Sequence, residues 1–75
     1  MVVAYVLFVV DPGSETKISS ALMKKKEVKE VAVVYGEYDI VVKVEVDSMS
    51  DLQDFIIGSR KYKEVKRTTT MIAVQ

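Results

Sequence analysis

The residues of this 75-residue chain that could do chemistry are few, and what is missing narrows the chemistry first. There is no histidine, so the usual general base near neutral pH and the commonest metal ligand are both lacking. There is no cysteine, so no thiolate can attack a substrate or bind zinc, and no disulfide can staple the fold. Tryptophan and asparagine are absent too. The carboxylates Glu37, Asp39, Asp47, Asp51 and Asp54 remain. Paired acids can hydrolyse a glycoside, but so small a fold offers no deep cleft to place them. Asp51 and Asp54 fall near a predicted helix start, where acids are electrostatically favoured, so they read as structural. No EF-hand spacing is present, and Gly13 and Gly36 each stand alone rather than in a phosphate loop. The chain reads as a non-enzyme that needs neither metal nor cofactor.

Two stretches nevertheless carry more polar function than closure of a fold requires. Tyr35-Gly36-Glu37-Tyr38-Asp39 sets a glycine, two tyrosines and two acids at a predicted hairpin tip, where Gly36-Glu37 alone would make the turn. Thr68-Thr69-Thr70 puts hydroxyls on a strand where valine would pack better. Two readings are open: a site, or a plain turn beside an exposed threonine edge, since threonine has good strand propensity.

The elements that must position these residues follow from periodicity. Val2 to Val10 is an unbroken apolar run rich in valine, which predicts a strand buried on both faces. Asp11-Pro12-Gly13-Ser14 turns the chain, with Ser14 a helix cap. Glu15 to Lys26 has helical spacing, with Ile18, Ala21, Leu22 and Lys25 on one face and Lys24, Lys25 and Lys26 in a last turn that suits the helix dipole. Val28 to Tyr35 predicts a strand, Gly36-Glu37 a tight turn, and Ile40 to Val46 a half-buried strand of strict alternation. A helix follows from about Ser50 to Lys61, with Leu52, Phe55, Ile56 and Ser59 along one stripe. Its cap is either Ser50 with Gln53 or Ser48 with Asp51. Val65 to Val74 is the last strand. Lys26-Glu27-Val28-Lys29 recurs as Lys63-Glu64-Val65-Lys66, each time between a helix and a strand. Two β-α-β halves with right-handed crossovers give an α+β, ferredoxin-like βαββαβ fold, a four-stranded antiparallel sheet with two helices on one face. Residues 1–75 read as a single domain.

Composition sets the partners. Lys plus Arg and Asp plus Glu both total 11, so the net charge is zero and phosphate neutralisation on nucleic acid has no surplus to draw on. An RNA-recognition sheet needs aromatics on its third strand, where this chain has Val41, Lys43 and Glu45. Met1 to Val10 is too short to span a bilayer and lacks the flanks of a signal peptide, so no membrane role and a cytoplasmic location are expected. A chain of this length buries only about 60% of its unfolded surface. Yet 49% of it is hydrophobic. The first strand sends Tyr5, Leu7 and Val9 to the face without helices. An apolar sheet face of that kind predicts a face-to-face dimer, each large side chain contributing roughly 1.5–3 kcal/mol on burial. The alternative is a curled sheet shielded by its own lysine stems and chain end.

The element order, Val34-Tyr35-Gly36-Glu37-Tyr38-Asp39-Ile40, the closing Val65-Lys66-Arg67-Thr68-Thr69-Thr70, and Asp11-Pro12-Gly13-Ser14 after an apolar first strand together resemble the C-terminal effector (RAM) domain of Lrp/AsnC transcription regulators. The resemblance covers essentially the whole chain. It implies an amino-acid effector held between dimers, a ring of dimers, and possible co-assembly with full-length regulators. It also implies that Gly36, Glu37, Tyr38 and Asp39 line the ligand-facing turn and that Thr68, Thr69 and Thr70 complete the site from the last strand. The chemistry is consistent with this: amides at a glycine turn receive a carboxylate, an aspartate pairs with an α-ammonium, and hydroxyls donate or accept. Regulators of this family carry a helix-turn-helix before the effector domain, whereas here Met1 runs straight into the first strand, so a stand-alone module without direct DNA recognition is expected. Tyr35 stands before the glycine where the family often has a smaller residue. The alternative function is a structural module that oligomerises without a small ligand. A small dimeric monooxygenase is disfavoured by the missing His, Trp and Asn.

Overall fold

A computed structural model describes residues 1–74. The elements are β1 (Val2–Val10), α1 (Glu15–Met23), β2 (Val28–Val33), β3 (Ile40–Val46), α2 (Met49–Ser59) and β4 (Val65–Ile72). The strands form one antiparallel sheet in the order β2-β3-β1-β4, the ferredoxin-like α+β fold. Alternation builds the core. Ala4 faces Val44, Val6 faces Val42 and Phe8 faces Ile40 across the two central strands, and all six are fully buried. Ile18 and Leu22 of α1 and Leu52 and Phe55 of α2 close over them.

The repeated Lys-Glu-Val-Lys marks a real structural repeat. Val28 and Val65 open their strands and donate to the carbonyls of Lys25 and Tyr62, each at 3.1 Å. Glu27 and Glu64 each accept, at 2.9 Å, from an amide of the neighbouring central strand or its end, Glu45 and Asp11 respectively. Lys29 and Lys66 are each skipped by the pairing register, one bulge per half. The halves differ in charge: Lys17 donates to the nearly buried carboxylate of Glu64, and Lys66 lies 3.3 Å from Asp11.

Several boundaries differ from expectation. α1 stops at Met23, not Lys26; Lys24 caps it, and the amides of Lys24 and Lys25 fold back to Ala21 and Leu22 at 3.3 and 3.1 Å. The lysines therefore form the turn into β2 rather than a last helical turn, because Val28 must already lie in the sheet. Ser14 occupies the N-cap of α1, but its hydroxyl accepts no cap bond. For α2, the Ser48 register wins: its Oγ accepts from the Asp51 amide at 3.2 Å, and the helix begins at Met49 and ends at Ser59. β2 ends at Val33 and β4 at Ile72, each two residues short of expectation.

Two results follow. Gly58 sits inside α2, and a Cβ there would meet nothing within 4 Å. Gly58→Ala should therefore stabilise the chain by about 0.5–1 kcal/mol, read as a rise in thermal midpoint of several degrees. An unchanged or lower midpoint would contradict that. The Lys17 hydrogen bond, helped by the backbone amide of Glu64 and opposed by burial, holds the Glu64 carboxyl below its ordinary range. Its contribution is then full above the unfolded value and fades as pH falls through the folded one. Lys17→Met should flatten this acid limb of the stability curve. Equal acid sensitivity of parent and variant would remove the pair from the account.

Candidate functional site

β2 and β3 are joined not by a tight turn at Gly36-Glu37 but by a six-residue loop, residues 34–39. Its base is closed by the Val34 amide donating to the Asp39 carbonyl at 2.8 Å. Asp39 then docks the loop on β1: its amide donates to the Phe8 carbonyl at 2.8 Å, and its Oδ2 accepts from the Val10 amide at 2.9 Å. The carboxylate thus extends the β1 ladder past the point where β3 begins, beside the bulge between Val9 and Val10. Gly36 has φ of +126°, a conformation that resists a side chain even though a Cβ would meet nothing within 4 Å. Around it Tyr35 and Glu37 are exposed, and Tyr35 makes no burying contact at all, at 103% relative exposure.

The threonines do not act as one group. On a strand, neighbours point to opposite faces. Thr69 pairs with Leu7 on the helix-free face, and its Oγ1 lies 3.1 Å from the Tyr38 hydroxyl. Thr68 and Thr70 pair with Phe8 and Val6 on the helix face, and Thr68 Oγ1 accepts from Arg60 Nε at 2.9 Å. Of the expected residues the fold therefore gathers Gly36, Tyr38, Asp39 and Thr69 at one end of β1, with Glu37 on the exposed rim and Thr68 and Thr70 behind the sheet. One arginine that the sequence reading passed over, Arg67, joins them, and a second, Arg60, lies with Thr68 behind the sheet. The Arg67 guanidinium stands 5.4 Å from the centre of the Tyr38 ring, and Arg60 reaches Thr68. The signal for Arg67 was its spacing, two residues from Thr69 and so on the same face.

The helix-free face is mixed. Val3, Leu7 and Val9 are half-buried, Tyr5 is 37% exposed and Met71, which pairs with Tyr5, is 52% exposed. Across from Tyr5, Lys43 lies 3.9 Å from Glu45 and 4.0 Å from Glu30. Among the described residues no helix is long and apolar enough to cross a membrane, and no three acids gather to hold a metal ion. A cavity of about 510 Å³ opens at the far end of β3; none of residues 35–39 or 68–70 lines it.

Comparisons place this arrangement. The family model described as the Lrp/AsnC ligand binding domain matches residues 3–75. The HTH-type transcriptional regulator FL11 of Pyrococcus furiosus is 31% identical over 99% of the chain and 49% of the regulator. The chain thus spans about half the length of the curated relatives it matches. A hypothetical protein from Pyrococcus horikoshii, PHS023, is 47% identical with a TM-score of 0.93, covering all of this chain and 92% of that one. A feast or famine regulatory protein from M. tuberculosis, complexed with L-methionine, is 28% identical with a TM-score of 0.86, covering all of this chain and 51% of that one. Fold and the match over residues 3–75 agree, and the chain belongs to the family of Lrp/AsnC ligand binding domains.

Proposed function

We propose that residues 1–75 act as one effector-sensing and oligomerisation module, which binds a small amino-acid-like ligand between dimers. The observation that carries this reading is loop 34–39 itself. Three bonds, two to β1 and one across its own base, anchor it, and it exposes Gly36 and Glu37 beside half-buried Tyr38 and Asp39 in a chain of the ligand-binding family. The methionine complex of the M. tuberculosis relative supports the ligand class. Asp39 Oδ1, free of the Val10 bond, receives the α-ammonium, and amides at Gly36 and Glu37 receive the carboxylate. One chain presents these groups on its surface, so a second pair of chains encloses the ligand. The helix-free face supplies the dimer: Tyr5, Leu7 and Val9 lose further exposure against their copies. Full-length regulators of the same family are candidate co-assembly partners. The module works in the cytoplasm, binds no nucleic acid itself, and catalyses nothing.

A second reading, an oligomerising module without a small ligand, draws on the Asp39–Val10 bond, which gives that carboxylate a structural task. Titration calorimetry against the twenty amino acids decides between them. Saturable heat from at least one amino acid at or below millimolar concentration is expected. Silence from all twenty leaves the second reading.

A further inference from the structure

The two halves of the chain are each other's comparison, and they differ at one end of the sheet. In the second β-α pair, Glu64 receives an ammonium from Lys17, the third residue of α1, and Lys66 pairs with Asp11. The equivalent of Glu64 is Glu27, by the shared amide bond and strand start described above. The equivalent of Lys17 is Asp51, the third residue of α2 and three past Ser48 as Lys17 is three past Ser14. Where one half holds a cation against its glutamate, the other presents a second acid.

The result is open space. Glu27 and Asp51 line the cavity of about 510 Å³ together with Glu45, Val46, Asp47 and Asp54, and the flanking Lys26 and Lys29 line it too. Among the described residues, Glu45 alone of the seven charged lining residues enters an ion pair, with Lys43 at 3.9 Å, whereas both ion pairs of the other half are formed. The volume is in the range of small-molecule sites, on the order of 300–1,000 Å³. Among the described residues no three acids come close enough to chelate one ion, so the spread of carboxylates suits charge distributed along a chain rather than a divalent metal.

We infer that this cleft binds a short alkyl diamine or polyamine, one ammonium of which occupies, between Glu27 and Asp51, the place that the Lys17 ammonium fills against Glu64. The cleft lies at the opposite end of β3 from loop 34–39, so the inference stands without the amino-acid reading.

The test is titration of the full chain with 1,4-diaminobutane, followed by amide NMR shifts, with 1,4-butanediol and sodium chloride of matched ionic strength as controls. Saturable shifts at Glu27, Asp47, Asp51 and Asp54 are expected with the diamine alone. Glu27→Gln, which keeps the shape, should weaken binding about tenfold or more. Asp51→Lys, which copies the other half, should fill the cleft and abolish binding. Equal shifts with salt, shifts centred on residues 34–39, or undiminished binding by either variant would overturn the inference.

Discussion

Tyr5→Asp combined with Leu7→Lys should break the proposed face-to-face dimer into single folded chains. The fold itself should survive, because the core uses the opposite face of β1: Ala4, Val6 and Phe8 are fully buried, while Tyr5 and Leu7 are not. The two charges are not equivalent. Tyr5 pairs with Lys43, so an aspartate there finds a cation on its own chain. Leu7 lies between Val41 and Thr69, so a lysine there finds no acid beside it. Burial of that ammonium in a dry dimer face costs several kcal/mol. Since each 1.4 kcal/mol is about tenfold, a micromolar dimer would weaken to the millimolar range. Sedimentation gives the mass and circular dichroism the fold. A double variant that sediments like the parent, with equal stability, removes the face-to-face dimer.

The second large effect is at Asp39, whose carboxylate has two tasks that substitutions can separate. Asp39→Asn keeps an acceptor for the Val10 amide and loses the charge. Stability should change by less than about 1 kcal/mol, while amino-acid affinity falls by roughly 10–150-fold, the worth of a charge-assisted bond of about 1.5–3 kcal/mol. Asp39→Ala removes both. The Val10 amide, on a residue only 4% exposed, is then left without its partner at a cost of about 1–3 kcal/mol. Denaturant unfolding and calorimetry on the pair of variants read the two tasks apart. If Asp39→Asn binds amino acids as the parent does, the ligand lies elsewhere while the loop-anchoring role of Asp39 stands.

How much of this was legible in the sequence depended on range. β1 and β3 announce themselves, β1 as an unbroken apolar run from Val2 to Val10 and β3 by the alternation of Ile40 to Val46, although the run did not show that the two faces of β1 are buried unequally. The Lys-Glu-Val-Lys echo located both helix-to-strand turns. Local propensity misled where the sheet sets the boundary: Lys24, Lys25 and Lys26 are good helix formers, yet Val28 must reach its partner Val44, so α1 ends early. Val34 and Tyr35 look like strand residues, but Val34 bonds to Asp39 and Tyr35 stands clear of the sheet. The division of the threonines between faces followed from alternation alone. The anchoring of Asp39 did not, since Val10 lies 29 residues away in sequence and only the folded sheet brings the two together.

Mass in solution, with and without amino acid, tests the sensing account most directly. A ligand held between dimers binds the assembled form and not its separated halves, so by mass action it must shift the distribution toward larger species. Sedimentation velocity on the parent chain, first in buffer and then in a millimolar mixture of the twenty amino acids, should show dimers or multiples of dimers. The population of the larger multiples should rise when the mixture is added. A single-chain mass that stays the same in both solutions would contradict the account.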